Sequence, residues 1–274
     1  MAGRMSATAP LHRDPVRSHV VLGTHAPFAA FRSPPSGSGS MMSFGPRVRP
    51  LADSLGGVIH SLCGAPIAAA FTDHSEDPPP LLPKELDAMS RAIPSRQREF
   101  AQGRWCARRA LAGLGYGEVE IPIGANRAPC WPARAVGSIT HCSAFVGAMV
   151  AKTDDVRSLG FDVEPATPLG AELLQIVCTP SELARVASAA PPDAGDWAKV
   201  IFSAKEAIHK CVSPLYATML DFQDVTVTFD PSRGVFSTSA ESSTAKALLD
   251  FTRVSGRFSI NRHFVFTCAW INAD

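Results

Sequence analysis

No stretch of this sequence approaches the ~20 consecutive apolar residues that a membrane-crossing helix needs, so a spanning role is not expected. Net charge is nearly absent too: 26 Lys and Arg stand against 25 Asp and Glu, a formal +1. A chain so balanced has no global field to gather nucleic acid or an anionic membrane, and any anion must be met by a local cluster. The 7 cysteines include no C-x-x-C pair and are odd in number. That spacing excludes a zinc knuckle and argues against a disulfide framework, and with no secretory apolar segment the expected location is cytoplasmic. A G-x-S-x-G elbow is also missing, so a serine hydrolase is not expected.

What is present begins with a core. The chain has 274 residues, 46% of them hydrophobic and 19% charged, the composition of a globular protein larger than one typical domain. Residues 1–57 carry seven of the prolines and a Ser-Gly-Ser-Gly-Ser run at 36–40, with no sustained apolar period. They read as a disordered N-terminal extension. Met41 and Met42 follow that run and leave room for a later start. Six arginines against one acid in the first fifty residues are loosely transit-peptide-like, but the prolines break the amphipathic helix such a peptide needs.

From Pro83 a helical pattern runs to Leu114, interrupted at Pro94 and restarted at Ser95. Three β-like runs follow at 136–140, 145–151 and 158–164, with Lys152-Thr153-Asp154-Asp155 reading as a hairpin turn between the last two. A helix pair is expected over 168–178 and 181–190, then a longer helix from Asp196 to Val212 stopped by Ser213-Pro214. Period-2 alternation at 225–229, 234–238 and 263–271 predicts a terminal antiparallel sheet. The expected fold class is α+β in two halves, 58–157 and 158–274.

Four constellations could carry chemistry. In Gly160-Phe161-Asp162-Val163-Glu164, strand alternation puts Asp162 and Glu164 on one face and the two apolar residues in the core. Paired carboxylates invite a hard cation such as Mg²⁺, although a D-x-E pair by itself is common on solvated strands. On the long helix, a core stripe at i, i+3, i+4 leaves Lys205, Glu206, His209 and Lys210 on or near the other side. Glu206 is then either half of a surface pair with Lys210 or a third metal ligand beside phosphate-reaching lysines. Gly137-Ser138-Ile139-Thr140-His141-Cys142 delivers a histidine at a strand end, and such histidines are more often structural than catalytic. Between Arg91 and Arg109 six arginines meet one acid, a solvated helix face or a phosphate grip.

In this order and spacing these pieces, with Arg127-Ala128-Pro129-Cys130-Trp131-Pro132 between them, resemble the Sfp-type 4'-phosphopantetheinyl transferases, in the branch that serves siderophore and polyketide synthases. The resemblance spans about 91–214. It implies a pseudo-dimeric α+β enzyme that binds coenzyme A between two similar halves. The reaction it implies moves phosphopantetheine onto a serine of an apo acyl or peptidyl carrier protein and releases 3',5'-ADP. Carried over by position, Asp162, Glu164 and Glu206 are the Mg²⁺ ligands, with Mn²⁺ as an alternative ion. Arg96, Arg104 and His141 are contacts to the phosphoadenosine and pyrophosphate, Lys205 and Lys210 to the pyrophosphate, and Ser138 and Thr140 lie at the nucleotide-facing strand end. Glu206 and Lys210 are the catalytic pair, Glu206 accepting the serine proton. Arg127 replaces a charge that relatives carry where Ala128 stands, and Phe161 stands where isoleucine is common. On the carboxylates alone, another Mg²⁺-dependent phosphoryl transfer, a nuclease, or a coenzyme A-binding module without catalysis stay open.

Overall fold

The structure, a computed structural model, describes residues 67–72, 76–124, 127–142, 145–189, 196–216 and 219–274. The expected extension over 1–57 lies outside them. In chain order the elements are β1 (Ile67–Thr72), α1 (Pro83–Met89), α2 (Pro94–Gly113), β2 (Ala135–Cys142), β3 (Phe145–Lys152), β4 (Val156–Pro165), α3 (Ala171–Val177), α4 (Pro180–Ser188), α5 (Trp197–Tyr216), β5 (Val225–Asp230), β6 (Val235–Ala240), α6 (Ser243–Leu248), β7 (Ser255–Ile260) and β8 (Phe264–Asn272). No helix among the described residues is long and apolar enough to cross a membrane.

Two antiparallel sheets form, β1-β3-β2 and β4-β8-β7-β6-β5. Their central strands explain how they stack, because β3 and β8 are apolar on both faces. On β3, Val146, Ala148 and Val150 pack against Cys106, Ala107, Ala110 and Leu111 of α2. The alternate residues Phe145, Met149 and Ala151 enter a core shared with Phe161, Phe266 and Trp270 of the other sheet. Strand β8 repeats the arrangement: Val265, Ala269 and Ile271 meet α5, while Phe264, Phe266 and Cys268 face the shared core. The layers therefore run helix, sheet, sheet, helix. This is the expected α+β fold of two similarly built halves.

Three local expectations are corrected. The 152–155 turn forms, with Asp155 N donating to Lys152 O at 3.0 Å, but it is no hairpin. It carries the chain from one sheet to the other, β3 and β4 being unpaired. The 263–271 segment does not alternate in burial, because its second face lies under α5. The long helix runs through Pro214 to Tyr216; so near the end of a helix, a missing N–H removes one intrahelical bond and no more.

The approach of α5 to β4 depends on Gly160. A Cβ there would lie 1.8 Å from the Ala207 carbonyl oxygen and 2.6 Å from the Cys211 nitrogen. Both neighbours are backbone, so the helix itself would have to retreat. Gly160→Ala should cost about 1–3 kcal/mol or more by overpacking, lowering Tm by roughly 2–4 °C per kcal/mol in a chain of this size. Thermal unfolding checks this, and an unchanged Tm would show that α5 need not sit so close.

Candidate active site

Alternation along β4 turns Phe161 and Val163 into the shared core and Asp162 and Glu164 toward α5. Asp162 is only 3% exposed. Its carboxylate accepts from Lys210 Nζ at 2.6 Å, Ser203 Oγ at 2.8 Å and Thr140 Oγ1 at 3.1 Å. Lys210 and Ser203 come from α5, whereas Thr140 comes from β2 of the other half. The seam is closed further by Val163 N donating to Thr140 Oγ1 at 3.3 Å and Ser138 Oγ donating to Phe161 O at 3.3 Å. Thr267, directly opposite Asp162 in the β4–β8 register, donates to Ser203 O at 2.8 Å.

The neighbouring charges are poorly neutralised. Burial pushes Glu164 up to about 7, with the Asp162 charge adding to the rise against Lys199 and Lys210. Among the described residues it forms an ion pair with Lys199 at 3.3 Å. Glu206 makes no hydrogen bond or ion pair among the described residues, and burial and then Asp162 raise it above the ordinary carboxylate range against the pull of Lys210. For Lys210, the attraction of Asp162 and Glu206 outweighs burial, so its ammonium stays protonated above its ordinary range. No three His, Cys, Asp or Glu side chains among the described residues gather closely enough to hold a metal as they stand. Lys210 supplies the positive charge amid the carboxylates instead.

A second cationic cluster lies on the other face of β2. Next to Thr140, the His141 side chain turns to α2, where its Nδ1 is 2.6 Å from Glu99 Oε1. Arg96 Nη1 donates to Glu99 Oε2 at 2.7 Å and lies 3.4 Å from His141 Nε2. Burial pushes Glu99 up, but His141 and then Arg96 together outweigh it and hold the carboxyl at about 2. Arg104 is buried, donates from Nε to Ile121 O at 2.5 Å, and stacks 4.1 Å from the Phe100 ring centroid. Burial lowers it to about 10, which still leaves it charged near neutrality. The other arginines of the run divide differently. Arg108 is locked to buried Glu85 at 2.6 and 2.7 Å, Arg98 pairs with Asp77, and Arg109 lies over Trp105. Arg127 is exposed in a loop with φ of 62° and has no polar partner among the described residues.

A family model for the 4'-phosphopantetheinyl transferase N-terminal domain matches residues 84–151, and one for the 4'-phosphopantetheinyl transferase superfamily matches 158–261. The chain is 42% identical over 191 residues to the 4'-phosphopantetheinyl transferase Svp of Streptomyces mobaraensis, covering 69% of this chain and 74% of the relative. It is 36% identical over 206 residues to PptT of Mycobacterium tuberculosis, covering 72% and 90%. A shorter match, 37% over 94 residues, links it to enterobactin synthase component D of Escherichia coli O157:H7, covering 34% and 43%. The chain belongs to the 4'-phosphopantetheinyl transferase superfamily.

Within this transferase, the structure brings Asp162, Glu164, Glu206, Lys210 and Thr140 into one neighbourhood and Arg96 and His141 into another, with Arg104 buried farther along α2 against Phe100 and the Ile121 carbonyl. It does not bring Lys205 to either. The Lys205 ammonium is buried and donates to Glu182 Oε2 at 2.7 Å, Val177 O at 2.8 Å and Phe222 O at 2.6 Å. All three of its protons are used in tying α5 to α3, α4 and the 3₁₀ turn at Phe222–Asp224, so here Lys205 makes structural contacts and not the pyrophosphate contact expected of it. Ser138 and Thr140 turn their hydroxyls across the seam, to the Phe161 carbonyl and to Asp162. Sequence reading missed Ser203, Lys199, Thr267 and Glu99. Ser203 precedes Glu206 and Lys210 at i+3 and i+7 spacing, a signal that was there to find, while Thr267 is placed by register alone.

Removing one member of a buried pair leaves the other charge unpaired, at about 3–5 kcal/mol. Lys205→Met should therefore lower Tm sharply and leave KM for coenzyme A little changed in the folded protein. Thermal unfolding and steady-state kinetics check this, and the opposite pattern would return Lys205 to the ligand.

Proposed function

We propose that this transferase moves 4'-phosphopantetheine from coenzyme A to a serine hydroxyl of an apo acyl or peptidyl carrier protein, releasing 3',5'-ADP. The reading places the reaction in the cytoplasm and takes 58–157 and 158–274 as the two halves that close on coenzyme A. The observation that carries it is the Asp162 cluster: a buried carboxylate at the seam of the two halves, flanked by Glu164 and Glu206 and answered by Lys210. The names of the relatives support the same reaction.

The donor set of Asp162, Glu164 and Glu206 is oxygen only, and the raised carboxyls of Glu164 and Glu206 suit a divalent cation, which the three would have to draw closer together to hold; Mg²⁺ suits such ligands, with Mn²⁺ as an alternative. When bound, it supplies charge neutralisation for the pyrophosphate. The chain's own residues do the rest. The serine oxygen forms a bond to the β-phosphorus of coenzyme A, and the bond from that phosphorus to the bridging oxygen breaks, its electrons leaving on 3',5'-ADP. Lys210, oriented by Asp162 and Thr140, places its ammonium where the leaving oxygen gains charge. Glu206, kept from strong acidity by burial, takes the serine proton. Positioning at a closed seam provides much of the acceleration, as in other phosphoryl transfers. Arg96, Arg104, His141 and exposed Arg127 remain for the nucleotide end of the substrate.

Glu206→Gln and Asp162→Asn should each cut carrier loading by about a hundredfold or more. Their stabilities should part. Glu206→Gln removes a repelled carboxylate and should hold or raise Tm, whereas Asp162→Asn strips Lys210 and Ser203 of an ionic acceptor and should lower it. The mass of the carrier after incubation, with Tm alongside, gives the result; near wild-type loading by either variant would sink this assignment.

A further inference from the structure

We propose that Glu99 is a positioning residue that holds His141 and Arg96 as one fork for the 3'-phosphate of coenzyme A. The inference rests on the reading that coenzyme A is the substrate.

A buried carboxylate inside a cationic cluster repels any incoming anion unless its own charge is already spent. Glu99 meets that condition, since each oxygen is taken by a different donor: Oε1 by His141 Nδ1 at 2.6 Å and Oε2 by Arg96 Nη1 at 2.7 Å. An ionised carboxylate can only accept, so the Nδ1 proton belongs to His141 and the ring is fixed with Nε2 turned to Arg96, 3.4 Å away. The result is a pair of nitrogen groups side by side, part-exposed, on a rigid base formed by one helix and one strand end. An anion seated there accepts from the remaining donors of the guanidinium, whose planar fork suits phosphate oxygens, and from Nε2 once the imidazole carries a second proton beside the two anions.

The choice of phosphate follows from β2. Thr140 and His141 are consecutive and point to opposite faces, so the fork and the Asp162 cluster are two separate places that one strand presents. Coenzyme A carries two separate anionic groups, a pyrophosphate and a 3'-phosphate. With the reacting pyrophosphate at Lys210, the fork is left for the 3'-phosphate, and Glu99 sets how well it is gripped.

The test is the ratio of kcat/KM for coenzyme A to that for 3'-dephospho-coenzyme A, measured in wild type, Glu99→Gln, Arg96→Ala and the double variant, with Tm recorded. Glu99→Gln should lower the ratio on the order of tenfold, mainly through KM for coenzyme A. In the double variant the two losses should fall short of their sum, since both act through one fork. A purely structural role slows both substrates alike, so an unchanged ratio overturns the proposal, as does a wild-type ratio of one. If Glu99→Gln does not fold, Glu99→Asp keeps the charge but withdraws the carboxylate, and the same ratio decides. A wild type that loads a carrier with neither substrate sinks the underlying reading, and this inference with it.

Discussion

Asp162 sits almost fully buried at the seam between the two halves, and a carboxyl group in that position is sustained by the donors around it. Those donors come from two elements and are backed by a third. Thr140 arrives from β2, Ser203 and Lys210 from α5, and the register of β4 with β8 sets Thr267 behind Ser203. Each of these elements must therefore be placed to within hydrogen-bond tolerance. Gly160 is what lets α5 lie close enough to do so, two residues before the carboxylate it serves. The shared aromatic core beneath, where Phe71, Phe145, Phe161 and Phe266 meet, holds the two sheets in register with each other.

The same geometry accounts for the division of labour among charges. Lysines that look equivalent in Lys205-Glu206-Ala207-Ile208-His209-Lys210 end up with different tasks because they are five residues apart on a helix, which rotates Lys205 away from Asp162. Lys205 then finds Glu182, whose other oxygen accepts from Val227 N at 2.7 Å on the edge strand β5. An ion pair thus seals a sheet edge. The arginine run divides in the same way. Half of its members pair with Glu85, Asp77 or Trp105, Arg104 is buried against Phe100 and the Ile121 carbonyl, and Arg96 stands beside His141.

Much of this was legible in the residues themselves. The D-x-E strand declared its two faces through Phe161 and Val163, and the long helix declared its core stripe through Val200, Ala204, Ile208 and Cys211. Pro94 and Thr179-Pro180 marked breaks between helices, although each proline proves to be the first residue of the next helix, with Ile93 and not Ser95 at the first N-cap and a capping box between Thr179 and Glu182 at the second. What stayed hidden depends on tertiary partners. Strands β1 and β7 and helix α6 are short, and their burial is decided by neighbours far along the chain. A turn at 152–155 looks the same whether its strands pair or part. The fate of Lys205 required knowing that Glu182, 23 residues earlier, would lie beneath it.

The central claim is that the carboxylates at this seam work with a divalent cation to transfer phosphopantetheine. The most direct measurement is the intact mass of an apo carrier protein incubated with the wild-type protein and coenzyme A, in Mg²⁺ or in excess chelator. The account predicts a gain of one phosphopantetheine per carrier, matched by release of 3',5'-ADP, with Mg²⁺ and none with chelator. A carrier left unmodified in Mg²⁺, or modified equally in chelator, would contradict it.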